Sequence, residues 1–337
     1  MKILKILLGF LIALILLVAI LGIIAPKEFE VSRDVTIDAP KNFVFEQIRT
    51  LKNNTEWSPW AEKDPEMKKE ITGVDGTVGS VYKWEGNEDV GKGEQEITEV
   101  TENSVTTELR FLEPWESNST AKLVADEVDD GTKVTWTLSG DAKFPMSIFN
   151  LFGVMDKNLG PDFEKGLTNL KERSEGMIKG YKEKYKANAL DMSAMHYIGV
   201  RDKVKFEKMS EFFGSAYVQI MEYMGANRID MSGAPSGAYF TYDMIHGESE
   251  LVAGIPVAKT YDVPEGMEML TLPAGKALEI DYYGPYEGSY EPHNVMEVYM
   301  KEMGLKYKGP VVEEYITDPQ SEPDQSKWHT KIRYYVE

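Results

Sequence analysis

The side chains best suited to chemistry would be the histidines, and they are badly placed for it. His196, His246, His293 and His329 are scattered, with no i, i+4 pair and no cysteine to join them. A zinc site needs several donors at short spacings, so the sequence implies no metal, and it implies no cofactor either. Carboxylates are abundant, 56 Asp and Glu against 37 Lys and Arg, for a net charge of −19. Such a surface repels phosphate backbones and excludes nucleic acid as a natural partner; its plain reading is solubility. The more telling supply is 18 Tyr, 13 Phe, 6 Trp and 17 Met. Side chains of this size and softness build cores and also line permissive apolar pockets. The chemistry on offer is therefore binding rather than bond making.

Those side chains must be positioned by distinct segments. Ile6 to Pro26 is an uninterrupted charge-free apolar run, preceded by Lys2 and Lys5. At about 1.5 Å per helical residue it spans roughly 30 Å, the thickness of a bilayer's hydrocarbon. Residues 1–26 are therefore expected to be a single-pass transmembrane anchor. The competing reading is a cleaved signal peptide, against which Ile23-Ile24-Ala25 is a poor cleavage site. Lys27 and Arg33 follow the span, so the count of basic residues nearly balances. The layout of a short basic stretch and then the span favours export, placing the soluble part outside the cytoplasm. The absence of Cys excludes a lipid-modified cysteine and any disulfide.

Residues 27–174 read as one α+β domain. Phe29 to Ile37 alternates as a half-buried strand, and Asp38-Ala-Pro40 ends it, with Asp38 as candidate cap of a helix carrying Phe43, Val44, Phe45 and Ile48. After Trp57-Ser-Pro-Trp60 come strand runs at 79–84, 92–100, 104–111, 120–127 and 132–140, the last two joined by the hairpin signal Asp129-Asp-Gly131. Phe152, Met155, Leu159, Phe163, Leu167 and Leu170 then repeat at helical spacing, with a kink expected at Gly160-Pro161. Val35-Thr-Ile-Asp-Ala-Pro40 leading into Val44-Phe45, Trp57-Ser-Pro-Trp60 with Asp64-Pro65, and the terminal helix resemble the START-like, polyketide-cyclase-like (SRPBCC) superfamily. The resemblance implies a helix-grip fold with a cavity for lipids or other apolar ligands, for which Trp84, Phe111, Trp136 and Phe163 are lining candidates. For each of the four, core packing is the plainer reading. No catalytic role carries over.

Residues 175–193 are polar and read as a linker or an extension of the preceding helix. Residues 194–337 contain one pattern twice. Met209–Tyr223, Gly225, Pro235, Phe240-Thr-Tyr-Asp243 and Leu251–Val257 recur as Tyr290–Met303, Gly304, Pro310, Tyr315-Ile-Thr-Asp318 and Thr330–Val336. Two strand-helix-strand-strand copies are too few for a solenoid and point to a pseudo-two-fold domain. Tyr283-Gly-Pro-Tyr-Glu-Gly288, Gly309-Pro310 and Glu313-Glu-Tyr-Ile-Thr-Asp-Pro319 resemble the GyrI-like small-molecule-binding domain, the effector-binding domain of multidrug-responsive activators. That resemblance implies a pocket between the repeats with aromatic walls and one acid, here Glu313. Glu314 is the alternative, since adjacent strand residues face opposite sides. Tyr239, Tyr282, Tyr283 and Tyr286 are wall candidates, or core.

The activators carry a helix-turn-helix that this sequence does not display. The leading expectation is a membrane-anchored, non-catalytic binding protein for small hydrophobic or amphipathic molecules: a lipid-like ligand in the first domain and a lipophilic cation in the second. One alternative is a hydrolase of reactive small molecules with Glu313 as general base; the other is a structural or interaction protein whose cavities are filled by their own side chains. The sequence names no protein partner.

Overall fold

A helix needs no partner for its backbone polar groups, so an apolar run without charges or turn residues forms one readily. In the computed structural model, which describes residues 2–317 and 321–337, the first element is α1 (Lys2–Ile24). Lys5–Ile24 is long and apolar enough to cross a membrane, with a mean hydropathy of 3.3. The chain then divides into two compact units, 1–176 and 177–337.

In the first unit, β1 (Glu28–Ile37) is followed by three short helices, α2 (Lys41–Arg49), α3 (Leu51–Trp57) and α4 (Pro59–Lys63). Asp38 does not cap α2. The N-cap is Pro40, without a side-chain bond, and the Asp38 N–H donates to Glu175 instead. Six further strands follow: β2 (Lys68–Thr72), β3 (Val81–Glu85), β4 (Lys92–Val100), β5 (Ser104–Glu113), β6 (Ser117–Val128) and β7 (Gly131–Asp141). They form one antiparallel sheet in the order β1-β7-β6-β5-β4-β3-β2. The sequence pattern misses β2 because all five of its residues are exposed and show no alternation. The β6–β7 turn depends on Gly131, at φ 131°, where a Cβ would strike the Ile37 carbonyl.

The long helix α5 (Val154–Lys184) buries Phe163, Leu167 and Leu170 in the first unit and continues through Pro161 without a break. Pro161 lacks the N–H that would bond back to Lys157, and the helix tolerates that loss. The polar stretch after it is not a free linker. Tyr185 is buried, and β8 (Asn188–Met192) pairs with β13 of the second unit.

That unit continues with β9 (Met195–Lys205), α6 (Met209–Asn227), β10 (Ser236–Tyr239), β11 (Glu248–Val257), β12 (Glu268–Leu272), β13 (Gly275–Tyr283), α7 (Tyr290–Met303), β14 (Tyr307–Tyr315) and β15 (His329–Val336). The sheet order is β12-β9-β11-β10-β14-β15-β13-β8, so the two copies meet at the central β10–β14 pair. Leu272 pairs Met195 and Gly275 pairs Met192 in a single register. The strands 188–205 and 268–283 are thus paired along both arms, and the two sheet edges come together at their middles. Helix α6 covers a core of Ile198, Ile220, Met224 and Ile255, and α7 covers Leu278, Ile280, Val295 and Ile332. Asp318 and Pro319 of the quoted motif lie outside the described residues.

Candidate ligand-binding site

Period-two alternation decides which of two adjacent acids faces which way. On β14, Glu314 turns to the face where Arg333 waits at 2.6 Å, and Arg333 also holds Glu279 at 2.5 Å. Glu313 turns to the helix-covered face and is 9% exposed. Among the described residues no Lys or Arg is bonded to it; its partners are a histidine and tyrosines. His293 Nε2 lies 2.8 Å from Glu313 Oε1, and Nδ1 lies 3.0 Å from the Tyr334 hydroxyl. Nε2–H donates to the carboxylate, and Nδ1 shares the second hydrogen bond with the Tyr334 hydroxyl.

The other carboxylate oxygen is held from the sheet. Tyr315 O–H donates to Glu313 Oε2 at 3.1 Å, and the Tyr239 and Tyr315 hydroxyls are 2.8 Å apart. Each hydroxyl has one proton, so the order is Tyr239 to Tyr315 to Glu313; the direct Tyr239–Glu313 distance is 3.5 Å. Gly237 makes this possible. It pairs with Glu313 across the ladder, and a Cβ there would lie 2.9 Å from the Phe213 ring and 3.0 Å from the Tyr315 hydroxyl. Burial, and next the neighbouring Glu313 charge, pushes the Tyr239 phenol well above the ordinary tyrosine range; burial, then Tyr239 and Glu313, does the same for Tyr315. Both stay protonated as donors.

Rings complete the surroundings. Phe213 on α6 approaches Tyr217, Tyr239 and Tyr315, at 5.7, 6.3 and 5.8 Å between centroids. Tyr286 meets Tyr315 edge-on at 5.4 Å and Trp328 at 5.0 Å. The Tyr217 hydroxyl is buried with no hydrogen-bond partner among the described residues. A carboxylate has about four acceptor positions, and each oxygen here has one close donor, so acceptor capacity remains. The arrangement is a buried carboxylate without a Lys or Arg partner among the described residues, set among aromatic faces and suited to a cationic group.

Of the expected wall residues, the structure brings Tyr239 and Tyr286 into this cluster and leaves two out. Tyr282 is buried against Tyr185 and donates to the Pro285 carbonyl at 2.6 Å. Tyr283 is exposed and stacks on His329 at 4.4 Å. Sequence reasoning missed His293, Phe213, Tyr217, Tyr315, Trp328 and Tyr334. A signal did exist for Tyr315, which stands two residues from Glu313 on one strand and so shares its face.

In the first unit the four aromatic candidates divide. Trp136 and Phe163 stack at 4.1 Å, with Trp57 and Trp60 edge-on to Trp136 at 5.4 and 5.7 Å. Trp84 meets Phe111 at 5.8 Å and Tyr82 at 6.0 Å. A separate groove of about 490 Å³ is lined by Glu28, Glu30, Glu108 and Asp141 among others and includes none of the four. Asp243, His246 and Glu248 place ligand atoms within 4.8 Å of one another, a grouping the histidine spacing did not suggest. Glu248 there already holds Lys203 and Lys205, which compensate its charge.

Comparison with known proteins follows the same division. Residues 28–175 match the family model described as polyketide cyclase / dehydrase and lipid transport, and residues 188–336 match the GyrI-like small molecule binding domain. A search of curated proteins finds no match. Among solved structures, the EcmrR C-terminal domain is 16% identical, covering 45% of this chain and 98% of that one, with a TM-score of 0.39. An EcmrR–DNA complex is 14% identical, covering 59% and 86%, with a TM-score of 0.39. The Aha1 dimer from Colwellia psychrerythraea is 18% identical, covering 44% and 96%, with a TM-score of 0.32. The chain thus carries a domain of the polyketide cyclase / dehydrase and lipid transport type followed by a GyrI-like small molecule binding domain.

Proposed function

We propose that this protein is a membrane-anchored receptor for small amphipathic molecules, with α1 as the anchor and a lipophilic cation bound at Glu313. One observation carries the reading: a buried carboxylate whose close partners are phenols and an imidazole, while neighbouring Glu314 and Glu279 are paired with Arg333. A buried carboxylate with no Lys or Arg partner is costly to fold around, and a cationic ligand offsets that cost. In the first unit, Trp84 and Phe111 are the residues proposed to meet an apolar ligand, since Trp136 and Phe163 are stacked into the core. Lys2 and Lys5 directly ahead of the span favour export of both units.

The test is binding of tetraphenylphosphonium against tetraphenylborate, its near-isosteric anion, by calorimetry on the detergent-solubilised full chain. The reading expects the cation to bind and the anion not to. Equal binding of both ions, or of neither, removes it. Hydrolysis is the second reading, and it is favoured by His293 standing beside Glu313 as a second acid–base group. It expects turnover of strained electrophiles that disappears in both Glu313→Gln and His293→Gln.

A further inference from the structure

Large apolar side chains crowd one end of the first unit's sheet. The pairs Glu28–Asp141, Phe29–Gly140 and Ser119–Gly140 place the start of β1, the end of β7 and the start of β6 at this end, and Phe111–Ser117 adds the β5–β6 turn. It is also the end at which α1 enters β1. Two segments project there. The β5–β6 turn carries Leu112 and Trp115, the latter 80% exposed. The stretch after β7, running into a 3-10 turn at Met146–Phe152, carries Phe144, Met146, Phe149 and Phe152, of which Phe144, Met146 and Phe152 are 57–61% exposed.

The second segment is fastened to the exit of α1. The Phe144 ring lies where a Gly22 side chain would be, 2.6 Å from a Cβ built there. Asn150 Nδ2 donates to the carbonyls of Pro26 and Glu28 at 3.0 and 3.3 Å. The Ala142 N–H donates to the Lys27 carbonyl at 2.7 Å, and Lys27 Nζ turns back to the Gly22 carbonyl. An apolar patch of this kind in water carries a standing cost, and exposed patches of large residues mark interaction surfaces. Here the patch is continuous with a helix that exposes large apolar side chains from Ile3 to Ile24, so the medium that covers the helix also covers the patch.

We propose that Leu112, Trp115, Phe144, Met146, Phe149 and Phe152 form a second membrane contact that inserts into the bilayer interface beside the anchor and seats the first unit on the lipid surface. The inference rests on the reading of α1 as a membrane span. Tryptophan suits the headgroup level, where its indole N–H stays wet while the ring is apolar, and phenylalanine, leucine and methionine suit the acyl boundary just below it. The surrounding charges are of both signs, with Glu28, Glu113, Glu116 and Asp141 against Lys27, Lys92, Lys143 and Lys157, whose Nζ donates to the Phe152 carbonyl at 3.0 Å. The contact is therefore driven by apolar burial and does not require anionic lipid. Its consequence is orientation: an anchor alone leaves the unit free to swing, whereas a two-part contact fixes one sheet end against the membrane.

Because the chain contains no cysteine, single-cysteine variants report cleanly. Trp115→Cys, Phe149→Cys, Val74→Cys and Ile12→Cys of the full chain would be labelled with an environment-sensitive fluorophore in phosphatidylcholine vesicles. Val74 lies in the β2–β3 turn at the opposite sheet end and is exposed. Labels at 115 and 149 are expected to be quenched by acyl-chain nitroxide lipid and shielded from aqueous iodide, as at 12, while the label at 74 behaves oppositely. Labels at 115 and 149 that follow 74 while 12 stays lipid-quenched overturn the second contact and leave the anchor standing. An aqueous label at 12 overturns the anchor and this inference with it.

Discussion

Replacing Glu313 with Gln removes one charge and keeps the side chain's shape, so it isolates the electrostatic part of cation binding. A cation centred about 5 Å from the carboxylate, at an effective dielectric of about 20, is attracted by about 3 kcal/mol. Some of this offsets desolvation of the ion, which leaves about 2–3 kcal/mol, or roughly 30- to 150-fold in Kd. The ring contacts are untouched by the substitution, and a cation–π contact is worth about 0.5–2 kcal/mol, so residual binding should persist. Titration calorimetry of tetraphenylphosphonium into wild type and Glu313→Gln measures the difference. Glu314→Gln is the control, because its carboxylate faces Arg333 on the other side of the sheet. A loss below threefold at Glu313, or an equal loss at Glu314, would refute the reasoning, since either result places the cation away from this carboxylate.

Trp136→Ala should destabilise the first unit by about 3–5 kcal/mol, the range for an aromatic deleted from a packed core. Trp57, Trp60, Trp84 and Trp115 stay in that unit, so their fluorescence follows its denaturant transition; a cost under about 1 kcal/mol would mean that Trp136 borders open space. Arg333→Met strands Glu314, whose guanidinium partner is lost, and should cost about 3–5 kcal/mol. Adding Glu314→Gln should recover much of that in the double variant, as read from the second unit's melting by near-ultraviolet circular dichroism. The phenols of Tyr239 and Tyr315 are raised well above their unfolded value by burial. Their stabilisation is complete below about pH 10 and is lost as pH rises beyond it, because the unfolded chain gives up protons that the folded one keeps. Each phenol steepens the loss by about 1.4 kcal/mol per pH unit, so Tyr239→Phe should flatten the alkaline stability profile of the second unit by one such increment.

Much of the fold was legible because its signals are local. The alternation of Thr132, Val134, Trp136 and Leu138 fixes the buried face of β7, and the spacing of Phe163, Leu167 and Leu170 fixes the buried stripe of α5. Elements stabilised by pairing rather than by burial left no such trace. Strand β2 is wholly exposed, and β8 was hidden in a polar stretch because its partner β13 lies more than eighty residues downstream. The site divides along the same line. Glu313, Tyr239 and Tyr286 sit near recognisable turn and strand motifs, whereas His293, Phe213 and Tyr217 come from two helices far apart in the sequence. Counting histidines by their spacing along the chain cannot find His293, since its partners Glu313 and Tyr334 are 20 and 41 positions away.

The internal repeat explains why there is one such carboxylate and not two. An offset of 75 residues carries Asp243 onto Asp318 in the sequence, but in the central ladder a two-fold that keeps each side chain on its own face needs an even offset, and 76 carries Gly237 onto Glu313 and Tyr239 onto Tyr315. Gly237 and Glu313 are themselves a ladder pair, so the two equivalent positions lie directly opposite one another. The backbone is therefore two-fold at this point while its side chains are not. At the equivalent positions one copy carries Glu313 and Tyr315, the other Gly237 and Tyr239, while Ala238 and Phe240 face the opposite side in the cluster with Val312. A symmetric pair of buried acids so close to the axis would repel one another and raise the cost of desolvation. Keeping the charge in one copy lets the other contribute what a charge cannot. Gly237 supplies the space into which Tyr315 and Phe213 close, and Tyr239 supplies the second hydroxyl of the chain that ends on the carboxylate. Duplication sets the frame and its loss of chemical symmetry makes the site, which is why neither copy alone contains it.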